Sequence, residues 1–321
     1  MRGLRPPPMA TADTIAPALA ASGLTKRFGK LTAVNELSFA VRPGEIFGLV
    51  GPDGAGKTTT MRMLAGVLSP DRGSATVAGF DVVRDPELVK NQVSYMPQRF
   101  GLYEDLTVDE NIRFYADLFG LARSEREEHA ARLLGAAGMA EFRDRLAGKL
   151  SGGMKQKLGL TCALIHRPSV LLLDEPTTGV DPVSRREFWR ILYSLLAEHV
   201  TIVISTAYLD EAERCGRLAM LFEGCMMLCG APEELKGKMP GAVLAVGSSR
   251  PREVRRHLEG AEGVRGIVMV GDGVHLVVDD AGRRSPELRR LLDAASIPFD
   301  AITPGEPTIE DLFVAYVQSR N

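Results

Sequence analysis

The stretch Gly51-Pro52-Asp53-Gly54-Ala55-Gly56-Lys57-Thr58 constrains this chain more than any other. It follows the apolar run Ile46-Phe47-Gly48-Leu49-Val50, which reads as a buried strand. Residues 58–68 come next and read as a helix, with Met61 and Leu64 sharing a face. Glycines let a backbone wrap around phosphate oxygens, and amides at a helix N-terminus point towards negative charge. The spacing G-x-x-x-x-G-K-[ST] between strand and helix is therefore that of a phosphate cradle. Gly51, Gly54, Ala55 and Gly56 supply its backbone, with Thr59 close behind. Lys57 reaches the β- and γ-phosphates, and the Thr58 hydroxyl ligates Mg²⁺. Phosphates repel an acidic side chain, so Asp53 reads as a turn residue of the same loop that faces away.

Val170-Leu171-Leu172-Leu173-Asp174-Glu175 supplies the matching half. An apolar strand delivers two carboxylates at its end. Asp174 is suited to hold Mg²⁺, directly or through water, and Glu175 to orient or deprotonate an attacking water. A strand with no polar face implies cover on both sides, as in a mostly parallel sheet.

A length of 321 residues leaves room for two domains. The net charge of -2, without a long basic block, argues against nucleic acid as the main partner. No apolar run reaches the roughly 18 residues that a bilayer requires, so no stable lipid insertion is expected and any membrane process needs another chain. Residues 1–20 read as a disordered tail, with Pro6, Pro7 and Pro8 opposing a helix. Arg2 and Arg5 lack the apolar stretch of a signal peptide, and Met9 is an alternative start. Cys162, Cys215, Cys225 and Cys229 lack zinc spacing and read as reduced thiols.

Strand and helix periods then suggest an α/β core over residues 21–236, interrupted by helices at about 100–155. Beyond a linker at 236–241, residues 242–321 read as strand, helix, hairpin across Gly271-Asp272-Gly273, helix, strand and helix. In that reading the second helix covers 285–295 and the last strand 299–302. The β-α-β-β-α-β order predicts a small ferredoxin-like α+β domain. The expected fold is thus α/β, a P-loop NTPase core with an antiparallel β subdomain and a helical insertion, plus that C-terminal unit.

Leu150-Ser151-Gly152-Gly153-Met154-Lys155-Gln156 turns this outline into a specific resemblance. With the phosphate loop and the Asp-Glu pair, it resembles the nucleotide-binding subunits of the ATP-binding cassette transporter family over residues 21–230. The resemblance implies that Ser151, Gly152 and Gly153 contact the γ-phosphate of ATP held by an opposing subunit, giving a head-to-tail dimer. It implies that Gln98 touches Mg²⁺ and relays movement, that Asp181 of Gly179-Val180-Asp181 crosses the dimer interface, and that Phe28 stacks on adenine. A core phenylalanine is the plainer alternative for Phe28. The implied cofactors are ATP and Mg²⁺. The implied partners are a second ATP-binding domain and a polytopic membrane permease, at the cytoplasmic face of the cell membrane.

One position breaks the pattern. Ser205-Thr206 and Asp210-Glu211-Ala212-Glu213 set the register, and the family's switch histidine is replaced by Ala207. An alanine neither donates to a γ-phosphate nor carries a proton. His199 lies at the far end of the strand, and Tyr208 leaves the backbone in another direction. Three accounts follow: a slow site paired with an intact one on a different subunit, a slow homodimer relying on Glu175, or a nucleotide-responsive regulator. The first is preferred, because Lys57, Asp174, Glu175 and Ser151 are all retained. Finally, Pro307-Thr308-Ile309-Glu310-Asp311-Leu312-Phe313 resembles the ending of ABC-2 type subunits that energise multidrug, antibiotic or polysaccharide export. Thr308 is placed to cap a helix there, with Glu310 and Asp311 favouring its first turn. The competing reading is a soluble family member acting in translation or DNA repair.

Overall fold

The computed structural model describes residues 16–99 and 101–318. Most of the expected disordered tail lies outside the described residues. Its last two positions do not behave as a tail, because β1 (Leu19–Phe28) starts there, with Leu19 fully buried. Antiparallel pairing explains this: Leu19 faces Val41 of β2 (Leu31–Val41) on one side and Val77 on the other.

Every residue of β3 (Ile46–Val50) is buried, as its unbroken apolar run requires. The phosphate loop follows, then α1 (Lys57–Leu64). The turn at Ala78-Gly79 joins β4 (Arg72–Val77) to β5 (Phe80–Asp81). These strands extend the antiparallel sheet to the order β2-β1-β4-β5. The short α2 (Pro86–Gln92), which strand and helix periods do not reveal, leads into β6 (Val93–Met96).

The expected helical region is α3 (Val108–Leu118), α4 (Arg123–Ala137) and α5 (Gly152–Leu164), so it extends past 155. A reciprocal Thr107–Glu110 capping box fixes the start of α3. The amide of the fully buried Asn111 donates to the carbonyls of Tyr103 and Thr107, tying in the approach segment.

Next come β7 (Val170–Asp174), α6 (Pro182–Leu196), β8 (Thr201–Thr206) and the single-turn α7 (Leu209–Ala212). β9 (Arg217–Phe222), β10 (Cys225–Gly230) and α8 (Pro232–Lys236) complete this part. The central sheet runs β10-β9-β3-β8-β7-β6 and is parallel except for β10. Two apolar clusters cover its faces, one against the helical region and one against the antiparallel sheet. All four cysteines are free thiols.

The remaining elements are β11 (Ala242–Gly247), α9 (Pro251–Leu258), β12 (Val264–Val270), β13 (Gly273–Val278), α10 (Ala281–Ala294), β14 (Ile302–Pro304) and α11 (Ile309–Gln318). The order β12-β13-β11-β14, antiparallel throughout, is the expected β-α-β-β-α-β arrangement. Two boundaries differ from expectation. α10 starts four residues before Ser285 and runs through Pro286, because Asp280 accepts the Arg283 amide and Arg284 pairs with Asp279 and Glu287. The last strand is 302–304, where pairing with β11 is available, and not 299–302.

α9 and α10 cover the face of this sheet that carries Leu244, Val246, Leu276 and Val278. α11 lies on the other face, against β12 and β13. There Val314 approaches Gly266 so closely that a Cβ would sit 2.4 Å from its Cγ1. The far side of α11 joins Val50, Ala212, Leu218, Met220 and Leu235 in one buried cluster. Among the described residues no helix is long and apolar enough to cross a membrane.

Candidate active site

Parallel strands send their carboxyl ends to one edge of a sheet, and ligands of such sheets bind there. β3, β8 and β7 are neighbours, so the phosphate loop, Thr206 and Asp174-Glu175 emerge side by side. They open onto a cleft of about 690 Å³. Phe28, Asp53, Gly54, Gly56, Lys57, Thr58, Thr59, Gln98 and Glu175 line it, as do Thr32 and Glu223.

The Lys57 ammonium, with its side chain 3% exposed, lies 3.0 Å from Glu175 Oε1. It also donates to the carbonyls of Gly51 at 2.8 Å and Pro52 at 3.0 Å. Gly51 admits no side chain, since a Cβ would come within 2.2 Å of the Leu221 carbonyl oxygen. Its amide donates to Thr206 O, which ties the loop to the end of β8. Gly56 precedes α1 at φ 95°, a left-handed conformation that glycine adopts without strain. Ala55 is buried and does not line the cleft, and its amide donates to Pro52 O. Asp53 differs from expectation: it is exposed and lines the cleft, because the turn that buries Ala55 turns Asp53 outward.

Three hydroxyls surround the Asp174 carboxylate. Ser205 donates to Oδ1 at 2.6 Å, Thr58 to Oδ1 at 3.0 Å and Tyr95 to Oδ2 at 3.1 Å. Burial first, and then the Asp174 charge, push the Tyr95 hydroxyl up to about 12, so it remains a donor. Neighbouring Glu175 takes a positive φ of 49°, rare outside glycine. The Ser205 carbonyl and hydroxyl hold its amide at 3.1 and 3.0 Å. Gln98 Nε2 donates to Glu175 Oε2 at 3.0 Å. The oxygen donors gathered here, a hydroxyl and a carboxylate 3.0 Å apart, fit a hard divalent cation such as Mg²⁺. Among the described residues no group of three or more His, Cys, Asp or Glu is placed to hold a metal ion by itself.

Phe28 is half-exposed at the cleft rim with Lys26 Nζ 5.8 Å above its ring, so it is not a core phenylalanine. Ser151, Gly152, Gly153 and Asp181 do not line the cleft. Ser151 caps α5 by accepting from the Met154 amide. Gly153 sits where a Cβ would strike Ser184 Oγ, and Asp181 caps α6 by accepting from Val183 and Ser184. Hydrogen bonds from Ser184 hold the Asp181 carboxyl below its ordinary range. Ala207 is exposed beyond β8. Of the two side chains that the sequence sets aside as substitutes, the Tyr208 ring lies 4.2 Å from the Arg185 guanidinium and His199 precedes β8. Tyr95, Ser205 and Glu223 have no recognisable sequence signal, because only the pairing of β6, β7 and β8 and the β9–β10 turn place them here.

A lysine-bearing phosphate loop beside an Asp-Glu strand end defines a P-loop nucleotide-binding protein. Comparison with known proteins narrows the class. The sequence profile of the ABC transporter family matches residues 34–178. The chain is 42% identical over 235 residues to the Nod factor export ATP-binding protein I of Burkholderia thailandensis, covering 73% of this chain and 77% of that one. It is 51% identical over 239 residues to the probable multidrug ABC transporter ATP-binding protein YbhF of Escherichia coli (strain K12). That match covers 74% of this chain but only 41% of YbhF, so the chain spans less than half of that relative. A solved ATP-binding subunit of an ABC transporter superposes with a TM-score of 0.63 at 29% identity, over 69% of this chain and 92% of that one. The chain belongs to the ABC transporter family.

Proposed function

We propose that this chain is the ATP-binding subunit of an ABC-2 type exporter, of the multidrug or polysaccharide kind, which drives a separate polytopic permease. Residues 21–236 act as the ATPase domain and 242–321 as an accessory domain, at the cytoplasmic face of the membrane. Lys57 and the loop amides hold the β- and γ-phosphates, Phe28 stacks on adenine, and Glu175 orients and deprotonates the attacking water. Thr58, Asp174 and Gln98 would hold Mg²⁺, which when bound polarises the phosphoryl oxygens.

The observation that carries this reading is a cleft with Lys57 and Glu175 3.0 Å apart, while Ser151 and Asp181 stand exposed elsewhere. Such a surface serves a second nucleotide: the exposed α5 terminus is an anion site for ATP held by a facing domain. Ala207 removes a proton-carrying contact, so this site turns over slowly and pairs with a histidine-bearing partner.

Purification of the tagged chain from detergent-solubilised native membranes tests the assignment. A co-purifying polytopic membrane protein, together with a second ATP-binding domain that carries the histidine, is expected. Recovery with ribosomes or DNA and no membrane protein would overturn it.

A further inference from the structure

We propose that Glu211 is a positioning residue that locks the turn carrying Glu175 to the turn carrying Ala207. Its carboxylate is fully buried in α7. Oε1 accepts from Thr177 Oγ1 at 2.7 Å and from Trp189 Nε1 at 3.2 Å, and Oε2 accepts from Thr206 Oγ1 at 2.9 Å. Arg185 Nε stands 3.5 Å from Oε1 and is its ion partner among the described residues. A buried carboxylate is costly unless each oxygen is paired, and here the partners come from separate parts of the site.

Thr177 lies two residues after Glu175 and opens the segment leading to Asp181, where its carbonyl takes the Val180 amide. Thr206 directly precedes Ala207, accepts the Tyr208 amide at 3.0 Å on its hydroxyl, and takes the Gly51 amide on its carbonyl. Trp189 and Arg185 belong to α6, the helix that Asp181 caps, and Arg185 also covers the Tyr208 ring. One carboxylate therefore sets the spacing between the turn bearing Glu175, the segment beside the phosphate loop and the helix at Asp181. An apolar residue would fill the space equally well but hold none of these hydroxyls, so the carboxylate supplies direction as well as volume. Glu211 does not line the cleft, so its effect passes through Thr177 and Thr206.

The catalytic part of this proposal rests on the reading of Glu175 above, whereas the coupling of the turns does not. Hydrogen exchange of single amides in Thr177→Val and Thr206→Val tests the coupling, each valine keeping the threonine's shape. Thr177→Val is expected to speed exchange at the Tyr208 amide, and Thr206→Val at the Val180 amide, each on the order of tenfold. In Glu211→Ala the cross-effects vanish, while Glu211→Gln, which still pairs with the hydroxyls, keeps most of them. With Mg-ATP as substrate, kcat falls in both threonine variants and KM stays within about twofold. Substitutions that loosen only their own turn overturn the proposal, as does a loss of kcat and KM that tracks melting temperature. Coupled exchange with unchanged kcat keeps the lock and overturns the claim that it positions Glu175. The two threonine variants decide the matter even where Glu211→Ala does not fold.

Discussion

At Ala207 an exposed methyl follows Thr206, whose carbonyl already takes the amide of Gly51. A side chain placed there starts at the carboxyl end of β8, beside the phosphate loop. Ala207→His restores a proton-carrying contact and is expected to raise kcat by about tenfold or more, with little change in KM. Steady-state hydrolysis by both proteins checks this; equal kcat with intact ATP affinity would sink the slow-site reading. His166 supports a second residue-scale prediction. Its ring stacks on Phe119 with centroids 3.6 Å apart, and burial pulls its pKa from 6.5 down to about 4. Between those values the unfolded chain takes up a proton that the folded chain refuses, so stability present above pH 6.5 is lost as pH falls towards 4. His166→Phe removes that contribution. Its urea midpoint is expected to fall less than the wild-type midpoint between pH 7 and 5.

α11 shows what an element contributes beyond its own helicity. Apolar residues lie almost all round it, the pattern of a helix buried on both sides. Leu312, fully buried, packs in one cluster with Val50, Leu218 and Met220, while Val314 presses on Gly266 of the C-terminal sheet. Leu312→Ala is expected to cost about 2–5 kcal/mol, read from denaturant midpoints. An unchanged midpoint would mean that the helix is not held between the two units. The cap was legible beforehand: Thr308 Oγ1 accepts the Asp311 amide. The fate of Asp311 was not. Its sequence position suggests a solvated first-turn charge, yet it is fully buried, with Oδ2 2.8 Å from His275 Nδ1. A residue 36 positions away supplies that partner, and no local pattern encodes such a pairing.

The whole molecule presents one cleft, with Ser151 and Asp181 exposed outside it. Ser151 caps α5 away from the cleft. Ser151→Ala is therefore expected to leave nucleotide affinity of the isolated chain within about twofold, while lowering turnover of the assembled dimer about tenfold or more. Equal losses of affinity in the isolated chain would show that Ser151 serves its own site. The sequence by itself determined the parts whose chemistry is local. These are the phosphate loop with its flanking strand and helix, the Asp174-Glu175 strand end and the α5 start. Each depends on a fixed spacing along a few residues, which period and turn chemistry make readable. Only the tertiary structure decided that Asp53 lines the cleft, that Tyr95 and Ser205 hold Asp174, and that Glu211 joins two turns. For the last two the physical reason is that a buried polar group must find its partner in space, and parallel pairing of β6, β7 and β8 brings Tyr95 and Ser205 to Asp174 from distant parts of the chain.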